Sequence, residues 1–396
     1  MTAHARLFTA LGYPDVDVRY VGGVVRNRLM GGSAHFNDDI DIATPDVPDV
    51  VMERLSRADI KVIPTGLDHG TVTAVMDGRG YEITTLRRDT ACDGRHAAVE
   101  FTTDWEEDAR RRDFTINAMS LTPDGMLFDY YGGEADVRAG RVRFVGEPSD
   151  RIQEDYLRIL RLFRFQARYG QSEIDNATLG AVRTHVKGLT GLSAERITQE
   201  VSKLLAARNP APTVAVMAAT GVIQEILPEA QQGPALARLT AREHETTVAA
   251  DWLRRFAVMI PASAADAVAH RLKLSNAEAA RLATLTAFEP ALTAASPQLD
   301  LYRALYHLGQ GAVADRLLVA WACDGDDSGW KTQLARTSAW QDKTLPVSGA
   351  DVLALGLAPG PKVGELLRAV ENWWIESGFT PDRDAALEYL KALARS

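Results

Sequence analysis

Apolar and polar positions divide this chain near residue 150. Ahead of that point, short runs at 18–21, 40–43, 71–76, 81–85, 99–101 and 142–145 alternate with the period of half-buried strands. Between them, residues 24–30, 47–58 and 114–118 carry the 3.6-residue spacing of amphipathic helices. Beyond residue 150 strand signals almost vanish. Ala-, Leu-, Arg- and Glu-rich helical patterns run to the end of the chain, interrupted where Gly and Pro cluster at 228–234, 288–297, 343–349 and 358–361. The pattern predicts an α+β head over 1–148, followed by helical segments at 149–230 and 231–396.

Composition narrows the class. A chain of 396 residues with 46% hydrophobic and 24% charged residues has enough material for two or three domains with a sizeable core. No run of about eighteen apolar residues occurs, so no transmembrane helix is expected. The first residues lack the apolar stretch and cleavage pattern of an export signal. Two cysteines, Cys92 and Cys323, exclude a disulfide framework and a structural zinc cluster, and suit a reducing cytoplasm. The net charge of −9 argues against general nucleic-acid binding, so any RNA contact must use local basic patches. Residues 138–170 offer one: Arg138, Arg141, Arg143, Arg151, Arg158, Arg161, Arg164 and Arg168 outnumber the nearby acids.

Candidate chemistry begins at Gly22–Gly23, between an apolar strand and a helix. Such a turn lets backbone N–H groups approach an anion, with Arg26 at the same end. Alone it reads equally as an ordinary strand–helix turn. Asp39 and Asp41 alternate with Ile40 and Ile42, so both carboxylates leave one face of a strand end. Alone this is a surface turn; beside the glycine turn it suggests a divalent-cation and phosphate site. Glu82, in a neighbouring strand-like run, adds a carboxylate able to assist electrostatically.

Two arginine-rich segments follow. In 110–118, Arg111, Arg112 and Asp113 precede an expected helix start; Arg suits triphosphate oxygens and Asp suits ribose hydroxyls, with Asn117 adding a donor and an acceptor. Residues 154–170 predict one amphipathic helix with an arginine stripe at 158, 161, 164 and 168 and few acids nearby to pair with it. Within it, Asp155 and Arg158 are a turn apart. A carboxylate beside a guanidinium matches the amine-plus-ring-nitrogen edge shared by cytosine and adenine, and mismatches guanine and uracil. Residues 192–205 predict a bracing helix capped by Ser193. Residues 359–374 predict a helix starting near Pro361, with Trp373 and Trp374 as core.

These segments, in order, resemble the class II bacterial tRNA nucleotidyltransferase/poly(A) polymerase family, the CCA-adding enzymes. The resemblance covers roughly residues 18–205, and more weakly 359–374. It rests on Gly-Gly-x-x-Arg with Asp-x-Asp, the Arg-Arg-Asp-Phe-Thr-Ile-Asn-Ala block, the stretch holding Asp129, Gly132, Gly133, Asp136 and Gly146, the Glu-Asp-x-x-Arg segment, and Glu-Arg-Ile. It implies a polymerase-β-like nucleotidyltransferase head (1–148), a helical neck that recognises the base (149–230), and a helical body and tail that bind tRNA (231–396). It further implies that Asp39 and Asp41 hold Mg²⁺ and are catalytic. Gly23, Arg26, Arg112, Asp113, Asp155, Arg158, Arg161 and Arg164 would bind the nucleotide. Residues 88–98 fall where the family has a loop that helps switch from C to A addition. Asn27 stands where many relatives carry Asp, and no His-Asp dipeptide occurs, so no phosphohydrolase domain is expected.

The expected activity is template-independent addition of CCA to the tRNA 3′ end from CTP and ATP, in a cytoplasmic monomer or homodimer. A poly(A) polymerase, a partial CC- or A-adding enzyme, a small-molecule nucleotidyltransferase and a non-enzymatic RNA-binding homologue are the alternatives.

Overall fold

The alternating runs of the first third assemble into a mixed seven-stranded sheet. In a computed structural model, residues 2–31, 40–92, 97–231, 233–287, 291–326 and 328–395 are described. The strands are β1 (Arg19–Val21), β2 (Ile40–Thr44), β3 (Lys61–Gly66), β4 (Thr71–Met76), β5 (Arg79–Thr85), β6 (Arg87–Cys92), β7 (Ala97–Phe101), β8 (Ser120–Leu121) and β9 (Leu127–Phe128). The large sheet runs β3-β4-β5-β2-β1-β8-β9, and β6 and β7 pair as a separate hairpin. Among the described strand pairs only β2 and β5 are parallel, in a register that sets Asp41 beside Glu82.

Helices α1 (Ala3–Ala10), α2 (Gly23–Leu29) and α3 (Pro48–Arg57) belong to the same part of the chain. Leu7, Phe8 and Leu11 from the N-terminal segment, with Val51 and Leu55 of α3, cover Ile40, Ile42, Val72, Ala74, Tyr81 and Ile83 of the sheet. Because strand neighbours face opposite ways, burying Ile40 and Ile42 on that side turns Asp41 to the other. There Val21, Ala43, Leu86 and Trp105 form a smaller apolar cluster.

Next come α4 (Trp105–Arg110), α5 (Gly133–Arg138), α6 (Pro148–Glu154), α7 (Leu157–Tyr169), α8 (Asn176–His185), α9 (Ala194–Leu205), α10 (Ala211–Ala219) and α11 (Val222–Ile226). Ser193 caps α9, its hydroxyl accepting the N–H of Arg196. The chain divides into two compact units, Met1–Pro228 and Glu229–Ser396. The second holds α12 (Ala235–Glu245), α13 (Trp252–Ala257), α14 (Ala265–Arg271), α15 (Asn276–Thr286), α16 (Gln298–Asp324), α17 (Trp330–Ser338), α18 (Gly349–Ala354), α19 (Pro361–Glu376) and α20 (Arg383–Arg395). Trp374 is buried, and Trp373 stacks on Tyr389 with centroids 4.3 Å apart. Among the described residues no helix is long and apolar enough to cross a membrane.

Several local expectations change. Residues 142–145 form no strand: Phe144 makes one bridge to Phe114, and the run is buried by packing rather than by a ladder. The helix expected at 114–118 is a single 3₁₀ turn, Thr115–Asn117, while the preceding acidic segment forms α4, capped by Asp104. Strand β3 was hidden by Pro64 and by its exposure at the sheet edge, where proline is tolerated. The helix expected over 154–170 forms as α7 over Leu157–Tyr169; Glu154 instead ends α6, and Asp155 between them is extended (φ −157°, ψ 109°).

Candidate active site

Gly22 is the pivot of the site. It precedes α2 with φ 70° and ψ −129°, a conformation open to glycine and strained for other residues. A Cβ at this position would lie 3.4 Å from Arg112 Nη1 and 3.6 Å from Asp41 Oδ2. The fold therefore brings the glycine turn, one predicted metal carboxylate and one predicted triphosphate arginine to the same point. Asp39 lies outside the described residues.

The donor set fits a hard divalent cation. Asp41 is half-buried at the rim of β2, Glu82 lies in register on β5, and an all-oxygen carboxylate set suits such ions. Among the described residues alone, no group of three His, Cys, Asp or Glu side chains is placed to hold a metal.

Arg112 is aimed by a residue the sequence reading passed over. Asp108, on α4, is 2% exposed and accepts Nε and Nη2 of Arg111 at 2.9 and 2.7 Å on one oxygen. Its other oxygen accepts Nε and Nη2 of Arg112 at 3.3 and 3.0 Å. Burial pushes the Asp108 carboxyl up, but the Arg112 and Arg111 guanidiniums outweigh it and hold the group below the usual carboxylate range. The spacings of three and four residues at the end of α4 were a legible signal for this contact.

Arg26, expected to contact the nucleotide, is held by protein groups. It is 6% exposed and directed inward. Its guanidinium donates to Asn117 Oδ1, to the Tyr169 hydroxyl at 2.8 Å and to Asn27 Oδ1 at 3.0 Å, and lies 4.1 Å from the Tyr169 ring centroid. Asn117 in turn donates to Asp113 Oδ1 at 3.1 Å. Asp113 also accepts the N–H of Phe114 at 2.8 Å, and Arg161 Nε at 2.8 Å on Oδ2. Burial alone would raise the Asp113 carboxyl; Arg161, Asn117 and the Phe114 N–H reverse this and hold it low. A continuous polar chain thus joins α2 to α7 through Arg26, Asn117, Asp113 and Arg161.

Arg158, Arg161 and Arg164 of the α7 stripe are paired, contrary to expectation, by acids outside α7. Arg158 is bonded to the Glu154 carboxylate, Arg161 to Asp113 and Arg164 to Glu200 of α9. Arg164 is 11% exposed in its side chain and Glu200 5%, so this pair braces α7 against α9. Arg158 also donates to the carbonyl of Arg151 at 2.9 Å. The Asp155 carboxylate has other partners: Oδ1 accepts the N–H of Leu157 at 3.0 Å, and Oδ2 accepts Arg196 Nη2 at 2.7 Å. Arg151, 8% exposed, fastens the arginine block by donating to the carbonyl of Arg112 at 2.8 Å. Sequence spacing gave no sign of Arg196 or Arg151 as partners, because both contacts are long-range.

Comparison with known proteins adds to this geometry. Residues 18–143 match the family described as "Poly A polymerase head domain", and residues 173–233 match that described as "Probable RNA and SrmB- binding site of polymerase A". The chain is 34% identical to mitochondrial CCA tRNA nucleotidyltransferase 1 of Mus musculus, over 95% of this chain and 86% of that protein. It is 33% identical to the CCA-adding enzyme of Latilactobacillus sakei subsp. sakei, over 89% and 88%. The structure of the Bacillus stearothermophilus CCA-adding enzyme in complex with CTP matches with a TM-score of 0.75 at 27% identity, covering 100% of this chain and 98% of that one.

Proposed function

Because the chain belongs to the tRNA nucleotidyltransferase/poly(A) polymerase family, in its CCA-adding branch, we propose the following division of labour for an enzyme that adds CCA to tRNA 3′ ends. CTP and ATP are the substrates, and pyrophosphate leaves. One observation carries the reading: Asp41 and Arg112 converge on the Gly22 turn, pairing a metal-binding anion with a phosphate-binding cation.

Asp39 and Asp41 would hold the divalent cations, Mg²⁺ on this reading; when bound, they lower the pKa of the attacking 3′-hydroxyl and neutralise the triphosphate. Gly22 and Gly23 leave room for the phosphates to approach the backbone of α2. Arg112 donates to the triphosphate. Asp113, oriented by Arg161 and Asn117, accepts from the ribose, and Arg26 holds Asn117 by donating to its Oδ1. Asp155 and Arg158 read the base edge shared by cytosine and adenine. Arg164 acts by fixing α7 against α9. The segments 149–230 and 231–396 are assigned to base recognition and to holding tRNA by shape and phosphates. A cytoplasmic monomer or homodimer accords with this role.

The test uses tRNA lacking its 3′ end, and tRNA ending in C or CC, with each labelled nucleoside triphosphate and Mg²⁺. Ordered incorporation of C, C and A is expected. Incorporation that stops at CC or yields long A tails would replace this reading with a partial enzyme or a poly(A) polymerase. Asp41→Ala is expected to abolish incorporation while tRNA binding persists.

A further inference from the structure

We propose that Asp108 is the positioning residue for triphosphate recognition, setting the fork of Arg112 and tying it to the base of the β6–β7 hairpin. This rests on the assignment of Arg112 to the triphosphate. Three observations carry it.

First, the carboxylate is 3% exposed in its side chain and faces two guanidiniums, those of Arg111 and Arg112. An anion placed only for charge balance needs one cation. Asp108 instead fixes two at once, and the second, Arg112, reaches the Asp41 rim where a polyanion would arrive.

Second, the contact is directional. Asp108 Oδ2 occupies the Nε–Nη2 edge of Arg112, and Nη1 lies on the Gly22 side, 3.4 Å from where a Gly22 side chain would begin. A planar guanidinium held by one edge presents its remaining nitrogen in a fixed direction. A lysine bound to the same carboxylate would have its single charge drawn back from the site.

Third, Asp108 Oδ1 also accepts the backbone N–H of Arg87, the first residue of β6, at 3.3 Å. The adjacent Arg88 pairs with Glu100 of β7 and with Glu107 of α4. The root of the hairpin and the triphosphate arginine therefore share one buried anion.

The test measures equilibrium binding of CTP and of CMP, with Mg²⁺ present, to the full chain and to Arg112→Ala, Asp108→Asn, Arg112→Lys and the double variant. Arg112→Ala is expected to weaken CTP by about tenfold or more and leave CMP within about twofold, the loss of one charge-assisted contact. Asp108→Asn should reproduce that pattern, and the double variant should bind CTP no more weakly than Arg112→Ala. Arg112→Lys should lose CTP as fully as Arg112→Ala, a result that does not depend on whether Asp108→Asn folds. If Arg112→Ala binds CTP normally, the triphosphate assignment itself fails. If Arg112→Ala weakens CTP but Asp108→Asn does not, or weakens CTP and CMP alike, Asp108 is a structural residue only. Normal CTP binding by Arg112→Lys, or additive losses in the double variant, overturns the positioning role as well.

Discussion

Arg158 and Asp155 stand three residues apart, joined by the Arg158 N–H on the Asp155 carbonyl at 2.9 Å, while their side chains take different partners. Arg158 is held by the Glu154 carboxylate and the Arg151 carbonyl, while Asp155 is held by Arg196 of α9. For the two to read one base edge, Arg158 must exchange Glu154 for the base, whereas Asp155 stays where Arg196 keeps it. Arg196→Ala should therefore loosen base selection, lowering the kcat/KM preference for CTP over UTP by roughly tenfold, the scale of one charge-assisted hydrogen bond. The Arg196 and Asp155 side chains are 46% and 34% exposed, and such a pair contributes little to stability, so Tm should hardly move. Unchanged discrimination would separate Arg196 from base reading.

Gly22 tests the phosphate approach. Substitution by alanine imposes a side chain on a backbone at φ 70° and ψ −129°, a strain of about 1–3 kcal/mol. The new methyl would also lie beside Arg112 and Asp41. Gly22→Ala is expected to lower the Tm of the first unit by several degrees and to raise KM for CTP and ATP together, leaving tRNA affinity unchanged. Wild-type KM values would show that no phosphate passes this turn.

Acid sensitivity follows from Asp113 and Asp108, both held below the ordinary value of 3.8. A lowered folded-state pKa means stability that is fully present above about 3.8 and lost as pH falls through the lower, folded value. Between pH 7 and 5 neither group should tilt the stability curve. Below about pH 4 the wild type should lose stability faster than Asp113→Asn, so their Tm difference narrows. A difference that narrows already between pH 7 and 5 would contradict the depressed carboxyl.

The sequence made the frame legible because strand alternation and glycine turns are local. Ile40 and Ile42 flanking Asp41 told which way the carboxylate faces, and the sheet confirms it. The pairing of the arginines was not legible. Arg164 meets Glu200, and Arg161 meets Asp113, across 36 and 48 residues, distances that no helical period encodes. Arg26 reads as a ligand contact from its place after the glycines, and its bond to Tyr169, 143 residues away, is one that no local pattern signals. Asp108 was within reach, since a carboxylate three and four residues before two arginines is a helical pattern. It is obscured because Glu106, Glu107 and Asp108 together have the pattern of a solvated acidic face.

The second unit carries its own internal test. Glu243 of α12 is 2% exposed and accepts Arg254 on one oxygen and Arg255 on the other, both arginines of α13 being similarly buried. Arg254 continues to Asp315 of α16, which Arg281 of α15 joins to Asp251. Charges this deep are tolerable only in company, and removing a carboxylate that two buried guanidiniums share costs on the order of 3–5 kcal/mol. Glu243→Gln should therefore lower the unfolding free energy of this unit by about that amount in urea titration. The Asp41 site lies in the other unit, so incorporation of a single C into tRNA by the still-folded variant should keep its wild-type kcat. A loss below about 1 kcal/mol would mean that water or a shifted side chain satisfies the two arginines without the carboxylate.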